Sequence, residues 1–301
     1  MAWKGLHLSR PAYLHADRGS LSIEFRDNLE PARFRLPLED IAWLVLDSPQ
    51  ILLNSGFLSR CSDAGVMILG VDSKHLPCWT SLPWTRFHKQ GEVMELQLDA
   101  SLPRKKRLWQ EIVRLKLLAQ AATLEGLGRE KAAFLRALAG FVRSGDADNT
   151  EGRGAQVYFR SLFQERQFTR HADDLPNHML DYGYAVVRAS IARHLCATGF
   201  IPQLGLHHRG LGNAYNLADD LIEPYRPLVD TLAVSTLGAR GSSDPFLIED
   251  RRALVALLSR DVRVNGETVS LFHATELTVA SLKGALRSGK PELLKFPTST
   301  P

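Results

Sequence analysis

The chain is 301 residues long, with 45% hydrophobic residues, 23% charged residues and a formal net charge of +4. That length exceeds one ordinary domain, and the composition excludes a disordered, collagen-like or coiled-coil chain. The small positive balance is compatible with a polyanionic partner without requiring one. No apolar run approaches the roughly 20 residues of a membrane span, and Met1-Ala2-Trp3-Lys4 reaches Ser9 and Arg10 before any signal-peptide stretch develops. A cytoplasmic protein with no membrane partner is expected.

Up to about residue 98 the chain reads as short strands broken by turns. Leu21 to Phe25 alternates, as a half-buried strand does, while Ala42 to Leu46 and Val66 to Val71 are continuous apolar runs of strand length. Between them Phe57, Leu58 and Cys61 follow helical spacing over 55–64, with Gly65 as the cap. Val93 to Leu98 is expected to close this sheet domain as a strand. After Pro103 the period changes to about 3.6, and Leu108, Ile112, Leu115, Leu118, Ala119 and Ala122 make one stripe of a long helix. Further helices are expected near 129–143, 151–167, 176–198, 247–260 and 272–288. Asn265-Gly266 predicts a hairpin turn over 262–269, and 297–301 reads as a loose tail. The expected fold is α+β, with a small N-terminal β-sheet domain containing one short helix (1–98) and a larger, predominantly α-helical domain (99–301). Cys61, Cys78 and Cys196 fit neither a disulfide framework nor zinc spacing and read as reduced thiols.

Three clusters have a chemical reading beside a structural one. Glu151 opens a helix that Asp148, Asn149 or Thr150 can cap, and a first-turn carboxylate is already explained by the helix dipole. Gly152 and Gly154 within that turn each cost about 1 kcal/mol relative to alanine, which points to something close against the backbone. Next, the Gly-bracketed run Leu206-His207-His208-Arg209 precedes Asp219, Asp220 and Glu223. Asp220 and Glu223 stand three apart, on one helical face where a proton or cation must offset repulsion, and Pro224 loosens the helix beside them. Imidazole plus carboxylates suits a divalent metal, though a solvated acidic helix reads equally from these residues alone. Finally, Arg104-Lys105-Lys106-Arg107 opposes the dipole at a helix start, where a phosphate contact is one candidate and a solvated run the default. Arg60, Lys74, Arg86, His88 and Lys89 can extend a basic surface on the first domain.

Four stretches together resemble the CRISPR-associated spacer integrase family, Cas1. They are Glu151-Gly152-Arg153-Gly154-Ala155-Gln156-Val157-Tyr158-Phe159, the run from Asp174 through Asn177 to Tyr184, Leu206-His207-His208, and Asp219 through Pro227. Leu180-Asp181-Tyr182-Gly183-Tyr184 and Glu223-Pro224-Tyr225-Arg226-Pro227 resemble in particular the members of type II systems. The resemblance implies a metal-binding, catalytic trio carried over to Glu151, His208 and Glu223. His208 is preferred to His207 because the family histidine lies 15 residues before the final acid. Asp220 is implied as an assisting acid or metal ligand, and Asn177 as a residue behind the metal site. The implied activity is metal-dependent integration with Mg²⁺ or Mn²⁺, in which 3′-hydroxyl ends of a short double-stranded DNA fragment attack phosphodiesters at the borders of CRISPR repeat DNA. Implied partners are a second copy of the chain through the β-domain, Cas2, and in type II systems Cas9 and other adaptation proteins. A different class remains open beside the enzyme: a DNA-binding scaffold in the same complex whose own catalysis is dispensable.

Overall fold

The computed structural model describes residues 4–27, 29, 31–82, 89–164 and 168–298, so Arg86 and His88 lie outside the described residues. The chain divides into two compact units, Met1–Arg86 and Phe87–Pro301. In the first, the elements in order are β1 Lys4–Leu8, β2 Ala12–Asp17, β3 Ser20–Phe25, β4 Arg33–Pro37, β5 Ile41–Leu46, β6 Ile51–Leu53, α1 Ser55–Ala64, β7 Met67–Val71 and β8 Pro77–Thr80. They form two four-stranded sheets, ordered β1-β5-β7-β8 and β4-β3-β2-β6. β1, β5 and β7 run parallel, and β5 is buried along its whole length, which is why its sequence is apolar without alternation. β2 and β3 alternate instead, joined by Arg18-Gly19, both at positive φ as a two-residue hairpin requires. Leu14, Leu21 and Ile23 meet Leu44, Ile68 and the Phe57 and Cys61 face of α1 in one core. Asn54 caps α1 by accepting from the Phe57 N–H, and Gly65 ends it at φ 75°. Burial pushes the Cys61 thiol up to about 12, so it acts as a small apolar side chain.

The second unit is mostly helical: α2 Gln90–Leu98, α3 Leu102–Gly126, α4 Ala132–Ala139, α5 Thr150–Phe163, α6 Leu175–Thr198, α7 Asn216–Ile222, α8 Arg226–Leu237, α9 Ile248–Ala256, the hairpin β9 Asp261–Val264 and β10 Glu267–Ser270, and α10 Leu271–Ser288. The expected strand over 93–98 is therefore wrong. Val93 and Gln97 are one turn apart on the buried side of α2, and tertiary contacts fix the helix. Gln97 donates to the carbonyls of Ile201 and Leu204 (2.9 and 2.7 Å) and accepts from the Ile201 N–H (2.9 Å). The stripe on α3 is also displaced. Its buried face runs through Leu108, Trp109, Ile112, Val113, Lys116, Leu117, Gln120, Ala121 and Leu124, while Leu115, Leu118 and Ala119 are only half-buried. The hairpin turns at Asn265-Gly266 as expected, but the tail is not wholly loose. Thr298 bridges to Arg263, its N–H donating to the Arg263 carbonyl at 2.8 Å. Among the described residues no helix is long and apolar enough to cross a membrane.

Candidate active site

The site is built on the buried face of α3. Lys116 is only 5% exposed, and its Nζ donates to Glu151 Oε1 and to Glu223 Oε2. Burial alone would push that ammonium down; the Glu223 and Glu151 carboxylates reverse the effect and raise it. Lys116 thus joins α5 to the segment after α7. Periodicity hides it, because an apolar stripe is read by skipping charged residues. The signal available is a lysine one turn from Ile112 and flanked by Val113 and Leu117 on the 3.6-residue period.

Glu151 enters from the first turn of α5 and is half-buried. None of the three expected residues caps that helix: Asn149 is left-handed at φ 52°, and Asp146 accepts instead from the Thr150 and Glu151 N–H groups (2.8 and 3.1 Å). A Cβ at Gly154 would stand 2.2 Å from Leu117 Cδ2, which accounts for that glycine by close packing of α5 on α3.

Glu223 is 4% exposed and begins the single 3-10 turn Glu223–Tyr225, where Pro224 interrupts the helix between α7 and α8. Both carboxylate oxygens are engaged: Oε2 by Lys116, and Oε1 by Arg226 Nε at 2.9 Å. Burial drives the Glu223 carboxyl up, yet Arg226 and Lys116 outweigh it and pull it down to about 2. Arg226 lies over the Tyr184 ring at 4.5 Å, and the Tyr184 and Tyr158 hydroxyls both donate to the buried Asp230. Burial, opposed by those hydroxyls, raises Asp230 to about 6.

Asp220, the other acid of the pair, is met by backbone amides and an imidazole instead of by Lys116 or Arg226. It is fully buried, and it gathers the loop before α7 around itself. It accepts from the N–H groups of Leu206, His207 and His208, and from His208 Nδ1 at 2.7 Å. A Cβ at Gly205 would lie 2.4 Å from the His208 carbonyl oxygen and 2.7 Å from Asp220 Oδ2, so only glycine allows this winding. The Asp220 hydrogen bond raises the His208 imidazole above its ordinary range, against burial. With Nδ1 committed, Nε2 is the nitrogen left to face a ligand, the usual outcome where a carboxylate orients a histidine. His207 stacks on the buried Trp109 (centroids 4.3 Å apart, planes 4° apart), while His208 meets the same indole edge-on at 5.6 Å.

The remaining expected residues are placed elsewhere. Asn177 is buried at the start of α6, and its hydrogen bonds go to Arg170, His171, Thr169 and Asp174, none to Glu151, His208 or Glu223. In the basic run, Arg104 Nη1 donates to the Leu286 carbonyl in the last turn of α10 at 2.8 Å. A cation opposing the dipole of α3 is thereby set against the C-terminal end of α10. Lys105 is half-buried, held down by burial and by Arg209 nearby, whereas Lys106 and Arg107 are exposed.

Two carboxylates and an imidazole are suitable donor types for a divalent cation. Their present arrangement does not make a cage: among the described residues no three His, Cys, Asp or Glu side chains are gathered to hold one ion. The place between Glu151 and Glu223 is taken by Lys116.

The family model for CRISPR associated protein Cas1 matches residues 6–259. The chain is 37% identical to the CRISPR-associated endonuclease Cas1 of Neisseria meningitidis serogroup C (strain 8013), over 100% of this chain and 98% of that protein. It is 26% identical, over 79% of this chain and 81% of the relative, to a CRISPR-associated endonuclease Cas1 of Saccharolobus solfataricus. Among solved structures, a casposase bound to integration product shares the fold with TM-score 0.77 at 21% identity, covering 96% of this chain and 92% of that one. A Cas1 protein from Thermotoga maritima does so at TM-score 0.76 and 17% identity, covering 99% and 100%. With one family model spanning most of its length and a full-length relative above 30% identity, the chain belongs to the Cas1 family of CRISPR-associated endonucleases.

Proposed function

We infer that this protein is the metal-dependent integrase of CRISPR adaptation, inserting short double-stranded DNA fragments at the CRISPR repeat, with Glu151, His208 and Glu223 holding Mg²⁺ or Mn²⁺. The observation that carries this reading is the meeting of Glu151 and Glu223 on one buried cation, beside an imidazole that Asp220 orients through Nδ1. A divalent cation bound there would stabilise negative charge on the phosphoryl oxygens as the bond exchange proceeds. The reaction is a transesterification. A fragment's 3′-hydroxyl oxygen bonds to a repeat phosphorus, the bond from that phosphorus to the repeat's own 3′ oxygen breaks, the attacking hydroxyl loses one proton and the leaving oxygen gains one. No covalent intermediate with a side chain is needed. Asp220 serves as a positioning residue for His208, and Arg226 fixes Glu223.

Binding rests on phosphate contacts with little regard to fragment sequence, and the exposed Lys106 and Arg107, with Lys105, are the members of the basic run offered to DNA. Arg104 belongs to the same surface but also anchors α10. For assembly, the first unit presents Tyr13 and Leu52, paired across β2 and β6 and 36% and 50% exposed, as part of a homodimer contact. One solved relative of the fold is a Cas6-RT-Cas1–Cas2 complex, with TM-score 0.72 and 16% identity. Cas2 is accordingly proposed as the partner bridging two dimers, with Cas9 and other type II adaptation proteins acting with them.

The test is a strand-transfer assay with purified protein, Cas2 and a repeat-containing plasmid. Integration should require Mg²⁺ or Mn²⁺ and disappear with a chelator. Chelator-resistant integration would end the metal assignment, and integration at the normal rate by Glu151→Ala, His208→Ala and Glu223→Ala proteins would favour the scaffold instead.

A further inference from the structure

We propose that Lys116 is an internal stand-in for the divalent ion, and that loading the site moves its ammonium off the Glu151 and Glu223 carboxylates and one helical turn along α3 to Gln120. The inference rests on the metal reading given above and extends it to a residue outside the trio.

The oxygen inventory leads to it. Asp220 has both oxygens committed to three amides and His208. Glu223 has one oxygen on Lys116 and the other on Arg226, and Glu151 Oε1 is on Lys116. An ion that binds both glutamates therefore shares or takes an oxygen now held by Lys116 or by Arg226. Arg226 is the worse one to displace: its planar guanidinium is bonded to Glu223 and lies over the Tyr184 ring. Lys116 carries its charge as a point on a rotatable four-carbon stem. A dication settling between the same carboxylates would also repel a monocation left in place.

A second observation shows where the ammonium goes. Gln120 is 2% exposed, and among the described residues its Oε1 is a buried acceptor with no hydrogen-bond partner. Such orphans are rare because they forfeit solvation without replacement. Gln120 follows Lys116 by four residues on the buried face of α3, the spacing at which helical side chains meet. An ammonium that releases the carboxylates can donate to this oxygen without leaving the interior. The two arrangements account for a buried lysine and a buried unsatisfied amide on the same face of one helix.

The two residues make opposite predictions. Free Mn²⁺ is followed by its EPR signal as MnCl₂ is titrated into the full-length chain. Lys116→Met keeps the stem and removes the competitor, so Mn²⁺ affinity should rise tenfold or more, and the metal-free protein should melt lower and regain more with Mn²⁺ than wild type does. Gln120→Leu removes the landing acceptor and leaves the carboxylate contacts, so affinity should fall several-fold while the metal-free protein melts no lower. If Lys116→Met does not fold without metal, the Gln120→Leu titration decides. Unchanged or weakened binding in a folded Lys116→Met protein, or unchanged binding in Gln120→Leu, overturns the proposal. Wild type that binds no Mn²⁺ ends the metal reading and this inference with it, whereas wild type that binds while both variants match it ends this inference alone.

Discussion

Two carboxylates in different units make a controlled pair. Asp47, just after β5, is 1% exposed and accepts from His7 Nε2 at 2.7 Å and from His75 Nδ1 at 2.6 Å. Asp220 is as deeply buried and accepts from His208 Nδ1 at 2.7 Å. A buried acid orienting an imidazole is therefore not in itself a site. What differs is where the second ring nitrogen lies. Among the described residues His7 Nδ1 is buried without a partner, and His75 belongs to the turn between β7 and β8, so Asp47 ties strand ends together. His208 lies close enough to Glu223 for that carboxylate to help raise its pKa, and Glu223 meets Glu151 on Lys116. Chemistry needs the oriented imidazole and further donors within reach; structure needs only the first.

The largest effects should fall on the second cluster alone. His208→Ala, Glu151→Ala and Glu223→Gln should each lower strand transfer by about 10³-fold or more while DNA binding, followed by fluorescence anisotropy, persists. Retained strand transfer in the His208 protein would remove the distinction between the clusters. Asp220→Asn should cost about 10- to 100-fold, because the amide cannot serve all the donors that converge there. It should also change the pH profile. His208 is raised above 6.5, so its pairing with Asp220 stabilises the fold fully below that value and is lost as pH climbs through the raised one. Subtracting the Asp220→Asn stability curve from wild type across neutral pH should show that decline, and parallel curves would mean the pair is not coupled.

Asp47→Asn should leave strand transfer near wild type and cost about 1–3 kcal/mol in thermal unfolding. A catalytic loss as deep as that of Asp220→Asn would place the first unit's cluster in the chemistry too. Smallest of all is His207→Ala, which loses the Trp109 stack, about 0.5–1.5 kcal/mol, and keeps most activity. If it matches His208→Ala, the choice between neighbouring histidines is reversed.

The sequence made some of this legible and hid the rest for identifiable reasons. Apolar runs and turn glycines marked β5, α1 and the 265–266 hairpin because the same local physics sets both pattern and structure. The stretch 93–98 alternates enough to read as a strand, and only the tertiary hydrogen bonds of Gln97 show why it is helical. Glu151, His208 and Glu223 stand out as a trio through family resemblance, whereas spacing by itself singles out only Asp220 and Glu223. Lys116 does not, since a buried lysine is intelligible only once both of its carboxylates are seen around it. The reason for Arg104 at a helix start is likewise invisible until the end of α10 is found beside it.

The winding of 205–208 has a consequence in time as well as in space. Three successive amide hydrogens point at one carboxylate that water does not reach, although this stretch has no regular secondary structure. By hydrogen exchange such a loop should behave like the interior of α6 rather than like the surface around it, opening only when Asp220 itself is released. If the site acts as proposed, a phosphodiester arriving there would meet a backbone whose ordering took place during folding, and little of the encounter's entropy would be spent on arranging the histidine.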